Sequence, residues 1–182
     1  MLLHQPYGEV LEAWHALEDF KKEGKIKSIG VSNMTPKIWK KFIPQFETLP
    51  AVNQVELHPF AQQRELRELC SNDNVVIEAW GPLEQGNKDL LTHPIILKLA
   101  EKYGKDVGQI ILRFENQEGI VVLPKSTHKE RIISNLNIFD FELTSEELEE
   151  VRNLDTGKTS HDPDAPGVGD WLLSNYDIHE ND

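Results

Sequence analysis

The sequence predicts an α/β fold assembled from parallel βαβ units, and three observations predict it. Short apolar runs of strand length alternate along the chain with segments whose apolar residues recur at helical spacing. Several helices open on recognisable capping residues. The polar residues worth questioning stand at strand ends, where α/β proteins gather their chemistry. Right-handed crossovers between parallel strands then leave doubly wound sheets and β/α barrels as the architectures to weigh. At 182 residues the chain is long enough for one domain and short for two.

After an apolar stub, Met1-Leu2-Leu3, the residues Val10, Trp14, Leu17 and Phe20 share one helical face, and Gly24 ends that helix. Lys25 to Ser32 reads as a strand. Thr35 before Pro36 is an N-cap and first-turn pair, with Ile38, Trp39 and Phe42 as the apolar stripe of the next helix. The alternation continues with a strand over 51–57, a helix over 62–70, a strand over 75–80 and helices over 94–103 and 107–117. Ile120 to Leu123 is a short apolar strand. Thr127 with Glu130, and Thr144 with Glu147, have capping-box spacing for the last two helices. Residues 1–157 form the expected folded domain, and the Pro-, Gly- and Asp-rich residues 158–182 read as a tail or surface loop.

A net charge of −12 disfavours nucleic acid as a partner, because phosphate backbones call for clustered Lys and Arg. No run approaches the roughly 20 apolar residues that span a bilayer, and no signal peptide follows Met1, which makes the cytoplasm the expected compartment and a membrane an unexpected partner. Cys70 is the single cysteine, so neither a disulfide framework nor a thiolate zinc site is available. Its expected role is that of a helix thiol without chemistry.

The strand ends carry His4, Ser32 with Asn33, Gln54 with Glu56, Trp80 with Gly81, and Lys125 with Ser126. Ser32 and Asn33 read as helix caps or as functional groups, and Thr35 already occupies the better capping position. Gln54 and Glu56 share one face of a strand expected to be apolar, so each needs a partner, structural or functional. His4 taken alone reads as a satisfied core histidine or as a catalytic one. The strongest local signal is Pro124-Lys125-Ser126-Thr127-His128-Lys129-Glu130-Arg131, a strand end running into a helix start. A helix N-terminus already carries partial positive charge, so three cations there are unfavourable unless an anion compensates. The segment reads as a phosphate site, or else as a solvated helix start with Glu130 as counter-ion.

The sequence has no Walker A loop, and Gly167-Val168-Gly169 lacks both the third glycine and the preceding strand of a dinucleotide fingerprint. Gly30-Val31-Ser32-Asn33-Met34 lacks the second glycine of a nucleophile elbow, and the seven histidines show no HExxH spacing, which leaves no candidate metal site.

Five segments in order resemble the aldo-keto reductase family: Leu2-Leu3-His4-Gln5-Pro6, Gly30-Val31-Ser32-Asn33, Asn53-Gln54-Val55-Glu56, Glu78-Ala79-Trp80-Gly81-Pro82-Leu83 and Leu123-Pro124-Lys125-Ser126-Thr127. The Trp80-Gly81 variant is similar to microbial diketogluconate and small-aldehyde reductases. The resemblance implies an α/β fold of the TIM-type (β/α)8 barrel, here incomplete, with the last five β/α units present and the first three strands absent. It implies NADP(H) as cofactor and a small carbonyl compound as substrate. It places Ser32, Asn33 and Gln54 on the nicotinamide carboxamide and Trp80 against its ring. Gly81, Leu83 and Thr127 belong to the same cofactor-binding segments. Lys125, Ser126 and Arg131 fall on the adenosine 2′-phosphate, and Asn135 near the adenine. Ser134 departs from the Gln or Glu common at its position.

His4 corresponds to the histidine that orients the substrate carbonyl. The family's catalytic tyrosine, lysine and aspartate lie on segments preceding the His4 strand, and none of Tyr7, Tyr103 and Tyr176 matches the acid. The chain by itself is therefore expected to be a poor reductase or a non-catalytic NADP-binding module. Five strands cannot close an eight-stranded barrel, so exposed edges, self-association or a complementary half are expected. A rival reading is an unrelated β/α-barrel isomerase or lyase that uses the phosphate site for a sugar phosphate.

Overall fold

The computed structural model describes residues 1–175. Five strands form one sheet in sequential order: β1 (Leu2–Leu3), β2 (Gly30–Ser32), β3 (Val52–Glu56), β4 (Val76–Trp80) and β5 (Val121–Leu123). The pairs β1–β2, β2–β3 and β4–β5 are parallel. Between and after the strands run helices α1 (Val10–Lys22), α2 (Pro36–Phe42), α3 (Arg64–Asn72), α4 (Lys88–Leu91), α5 (Pro94–Tyr103), α6 (Val107–Gln117), α7 (Lys129–Leu136), α8 (Ser145–Arg152) and α9 (Val168–Asn175). Sequential parallel order with intervening helices is the pattern of a β/α barrel, of which this chain supplies five strands.

The chain divides into two compact units. The first comprises Met1–Gln54, Glu65–Val76 and the described residues from His161. Its core is anchored by α1, where Val10, Trp14 and Leu17 are buried as their spacing predicts, while Phe20 is 43% exposed beneath the Lys25 ammonium. The Trp14 ring stacks on Phe46 with centroids 4.5 Å apart, and its Nε1 donates to the buried Glu18 carboxylate at 3.1 Å. Gly30 lies where β2 meets its neighbours. A Cβ there would stand 2.6 Å from Val52 Cγ2 and 2.7 Å from Leu2 Cδ2, so only glycine lets these strands approach.

The second unit comprises Val55–Arg64 and Ile77–Ser160. Its core packs Leu90, Ile96 and Leu99 against Ile110, Ile111, Phe114 and Val151. Both well-formed helix starts carry reciprocal capping boxes, Asp106 with Gln109 on α6 and Thr144 with Glu147 on α8.

Several expectations are corrected. The strand expected from Lys25 begins only at Gly30, because the Lys25 and Ile26 N–H groups both close the end of α1 on the Phe20 carbonyl. The helix expected from Gln62 begins at Arg64, since Gln63 adopts a φ of +51° and the Gln62 amide donates to the carbonyls of Pro59, Val151 and Arg152. Thr127 and Glu130 do not form a capping box. His128 is the N-cap of α7, and it makes no side-chain cap bond there. The tail is not wholly loop, because Val168–Asn175 is the helix α9, with the Tyr7 ring 2.8 Å from where a Gly169 Cβ would lie. Tyr176 and the rest of the tail to Asp182 lie outside the described residues.

The edge strand β5 leaves Val121 and Leu123 each 43% exposed, and α7 exposes Ile132, Ile133 and Leu136, with Phe139 just beyond it. That bears on the expected open edges: apolar side chains with the β propensity and stripe of a packed face lie uncovered beside β5. Cys70 is buried and its thiol is pushed up to about 12, first by burial, so it is chemically quiet at neutral pH.

Candidate functional site

In the first unit the backbone brings three expected residues together. Ser32 on β2 is buried, and its hydroxyl donates to the Gln54 carbonyl across the β2–β3 pair at 2.8 Å. Asn33, at a φ of +57°, accepts the end of that pairing: its N–H donates to the Gln54 carbonyl at 2.9 Å, and its amide donates to the His4 carbonyl at 3.2 Å. Thr35 takes the capping role at the start of α2, accepting from the Ile38 N–H at 3.3 Å, which frees Ser32 and Asn33 from it. His4 itself is exposed, so it is not a core histidine.

Gln54 and Glu56, expected to need partners, both have them. Glu56, buried in the second unit, accepts from the Ser160 N–H at 2.9 Å and lies 3.4 Å from the ring of buried His58. The Glu56 carboxylate is thus absorbed into structure.

The second unit holds an open groove of about 840 Å3, within the range of ligand pockets. The loop after β4 forms one wall through Trp80, Gly81 and Leu83. The loop after β5 contributes Lys125 and Ser126, and one face of α7 contributes Arg131 and Asn135, four residues apart. Thr127 does not line the groove. Ser126 shapes the loop by accepting from the His128 N–H at 3.1 Å. Gln85 and Gly86 line the wall that follows β4, and with Glu84 before them they take successive φ of +47°, +54° and +88°, a sparsely populated conformation for the two non-glycine residues and the kind of strain that collects at ligand clamps.

The electrostatics separate the two readings of the helix start. Among the described residues Lys125, Lys129 and Arg131 form no ion pair, although most other cations here do, including Lys98 with Glu150 and Arg152 with Glu118. Glu130 is not their counter-ion. Sequence reasoning missed Asp106, Val107 and Gly108, which also line the groove at the start of α6. An Asp before an apolar helix was a legible cap, but nothing in its spacing placed it against α7.

Five strands in sequential order with intervening helices, carrying polar groups at their ends, define a partial β/α barrel. The chain belongs to the aldo/keto reductase family, which it matches over residues 1–156. It is 43% identical over 154 residues to the glyoxal reductase of Bacillus subtilis, covering 84% of this chain and 55% of that protein. It is 40% identical over 170 residues to the methylglyoxal reductase DkgA of Escherichia coli, covering 91% and 62%. Among solved structures, that of Gox0644 without ligand superposes with a TM-score of 0.85 at 37% identity, over 90% of this chain and 62% of that one. A Gox0644 variant in complex with NADPH gives a TM-score of 0.84 at 37% identity, over 89% and 61%. The chain spans about three-fifths of the length of the relatives it matches. Among the described residues no helix is long and apolar enough to cross a membrane, and no cluster of His, Cys, Asp and Glu is placed to hold a metal.

Proposed function

We propose that this chain carries the cofactor-binding and carbonyl-orienting portion of an NADPH-dependent reductase of small aldehydes and ketones. The observation that carries the reading is the pair of unpaired cations, Lys125 and Arg131, lining the groove of the second unit. They fit a phosphate ester on a nucleotide, and Arg131 offers it a planar fork of donors. Trp80, an indole on the same wall, offers an aromatic face to the cofactor. In the first unit Ser32 donates its proton to the Gln54 carbonyl, so its lone pairs remain to accept from a carboxamide N–H. NADPH, when bound, supplies the hydride. His4, exposed at the end of β1, would orient the carbonyl oxygen by donating to it. The relatives named for glyoxal and methylglyoxal make small dicarbonyls the first substrates to try.

The 182-residue chain on its own would turn over poorly, because neither described tyrosine is placed as a proton donor. The Tyr7 hydroxyl donates to the Pro163 carbonyl at 2.7 Å, and Tyr103 donates to Glu147 at 2.6 Å. Burial first, and then nearby carboxylates, push both phenols up, away from the pKa of an effective general acid. A second reading, a non-catalytic NADP-binding half-barrel that works in an assembly, is favoured by the apolar α7 face and the edge of β5. Titration with NADPH followed by Trp fluorescence tests the binding common to both. Carbonyl-dependent NADPH oxidation by the pure chain separates them: measurable turnover of methylglyoxal supports the first, and tight binding without turnover supports the second. An inorganic phosphate ester that competes as well as NADPH would point instead to a sugar-phosphate enzyme.

A further inference from the structure

Asp106 caps α6 and at the same time faces the groove. It lines a groove whose cations are kept without counter-ions, and a negative charge there lowers the affinity for any phosphate unless the ligand also brings a hydrogen-bond donor. The carboxylate is held at both oxygens. Oδ1 accepts from the Gln109 N–H at 2.8 Å in the cap of α6, and Oδ2 accepts from the Ser134 hydroxyl. The second bond is not needed for the cap. Ser134 lies on the α7 face that carries Arg131 and Asn135, so the bond fastens the Asp106 carboxylate to the wall that carries Arg131.

We propose that Asp106, positioned by Ser134, reads the base of the nucleotide in this groove and selects a 6-amino purine over a 6-oxo purine. The inference rests on reading the groove as the site of a 2′-phosphorylated adenosine. The Ser134 hydroxyl is committed to Asp106, which supplies a carboxylate to the same wall from the neighbouring helix. An ionised carboxylate only accepts hydrogen bonds, and each oxygen has a second lone pair beyond the bond it already accepts. Adenine presents an exocyclic amine that donates. Hypoxanthine presents a carbonyl oxygen in its place, acceptor against acceptor. Ser134 is thus a positioning residue, and Asp106 the specificity-determining one.

Calorimetric titration of the full chain with adenosine 2′,5′-bisphosphate and with its inosine counterpart tests this without involving turnover. The wild-type chain should prefer the adenine form by about tenfold, the scale of one charge-assisted hydrogen bond. Asp106→Asn keeps a good N-cap but offers both a donor and an acceptor, so the preference should fall to near unity, chiefly because the inosine form gains. Ser134→Ala should lower it by about threefold through loss of positioning, and it carries the test should Asp106→Asn not fold. Arg131→Ala should weaken both nucleotides and leave their ratio unchanged. Equal binding of the two nucleotides by the wild-type chain, or an undiminished preference in Asp106→Asn, overturns the role of Asp106 while leaving the phosphate site standing. Failure of both nucleotides to bind the wild-type chain overturns the phosphate site, and this inference with it.

Discussion

The Tyr103 hydroxyl donates to Glu147 Oε2 at 2.6 Å, on a carboxylate whose other oxygen accepts from the Lys102 ammonium at 2.5 Å. A tyrosine, a lysine and a carboxylate are therefore clustered here on α5 and α8, away from the groove, and serve the joint between two helices. Tyr103→Phe should cost about 1 kcal/mol of stability, the net worth of one hydrogen bond, and leave NADPH affinity unchanged. Paired thermal melts and NADPH titrations check it, and a loss of affinity would give Tyr103 a role in the site.

Glu147 also makes stability depend on acid. Burial works to raise its pKa, but hydrogen bonds from Lys102, Tyr103 and the Thr144 N–H outweigh burial and hold it below the ordinary carboxylate value. Its contribution is present in full above the unfolded-state pKa and is lost as pH falls through the lower folded-state value. Glu147→Gln should flatten the acid limb of the stability curve measured by denaturant titration between about pH 5 and pH 3, the range where carboxylates titrate.

Glu115 has the opposite sign. It is fully buried on α6, neither oxygen has a hydrogen-bond partner, and burial raises its pKa well above the ordinary value. The folded state therefore holds a proton that the unfolded chain releases, and stability falls as pH rises above the unfolded-state pKa. Glu115→Gln should remove that slope, and Glu115→Leu should stabilise the chain by about 1–3 kcal/mol at neutral pH, the cost of an unsatisfied buried polar group. Urea denaturation at pH 5 and pH 8 reads both, and equal stabilisation at the two values would sink the explanation.

Gly30→Ala forces a Cβ into Val52 and Leu2 within the β1–β2–β3 pairing. The expected destabilisation is about 1–3 kcal/mol, the usual range for overpacking, read from the urea midpoint. Shortening the contacted side chain by Val52→Ala should recover part of it.

The free cations of the groove should act through the ester phosphate. Arg131→Ala is expected to raise the Kd for NADPH by about 10- to 100-fold, the scale of a charged hydrogen-bonding partner, while NADH, which lacks the 2′-phosphate, changes little. The difference should shrink in high salt as the exposed charges are screened. Equal weakening of both cofactors would place Arg131 elsewhere than on that phosphate.

The alternation of short apolar runs with amphipathic helices was legible along the chain because it depends on local periodicity. Trp14, Thr35-Pro36 and the Thr144–Glu147 box took the places their spacing predicts. The cluster of Lys125, Lys129 and Arg131 was legible too, since like charges adjacent in sequence must be adjacent in space. Local signals misled where another hydrogen bond, near or distant along the chain, competed with them. The Lys25 and Ile26 N–H groups went to the end of α1, the Gln62 amide went to carbonyls some 90 positions away in α8, and Ser126 displaced the expected Thr127 box.

By itself, then, the order of residues determined the βαβ repeat, the strand ends at which chemistry gathers and the clustering of positive charge at one of them, because each arises among near neighbours on the chain. Only the tertiary structure decided that Asp106 meets Ser134, that Glu115 is sealed without a partner and that Tyr103 is consumed by Glu147. Those outcomes depend on which helices pack together, and the free energy of such contacts is set by burial and geometry between segments that sequence spacing does not relate.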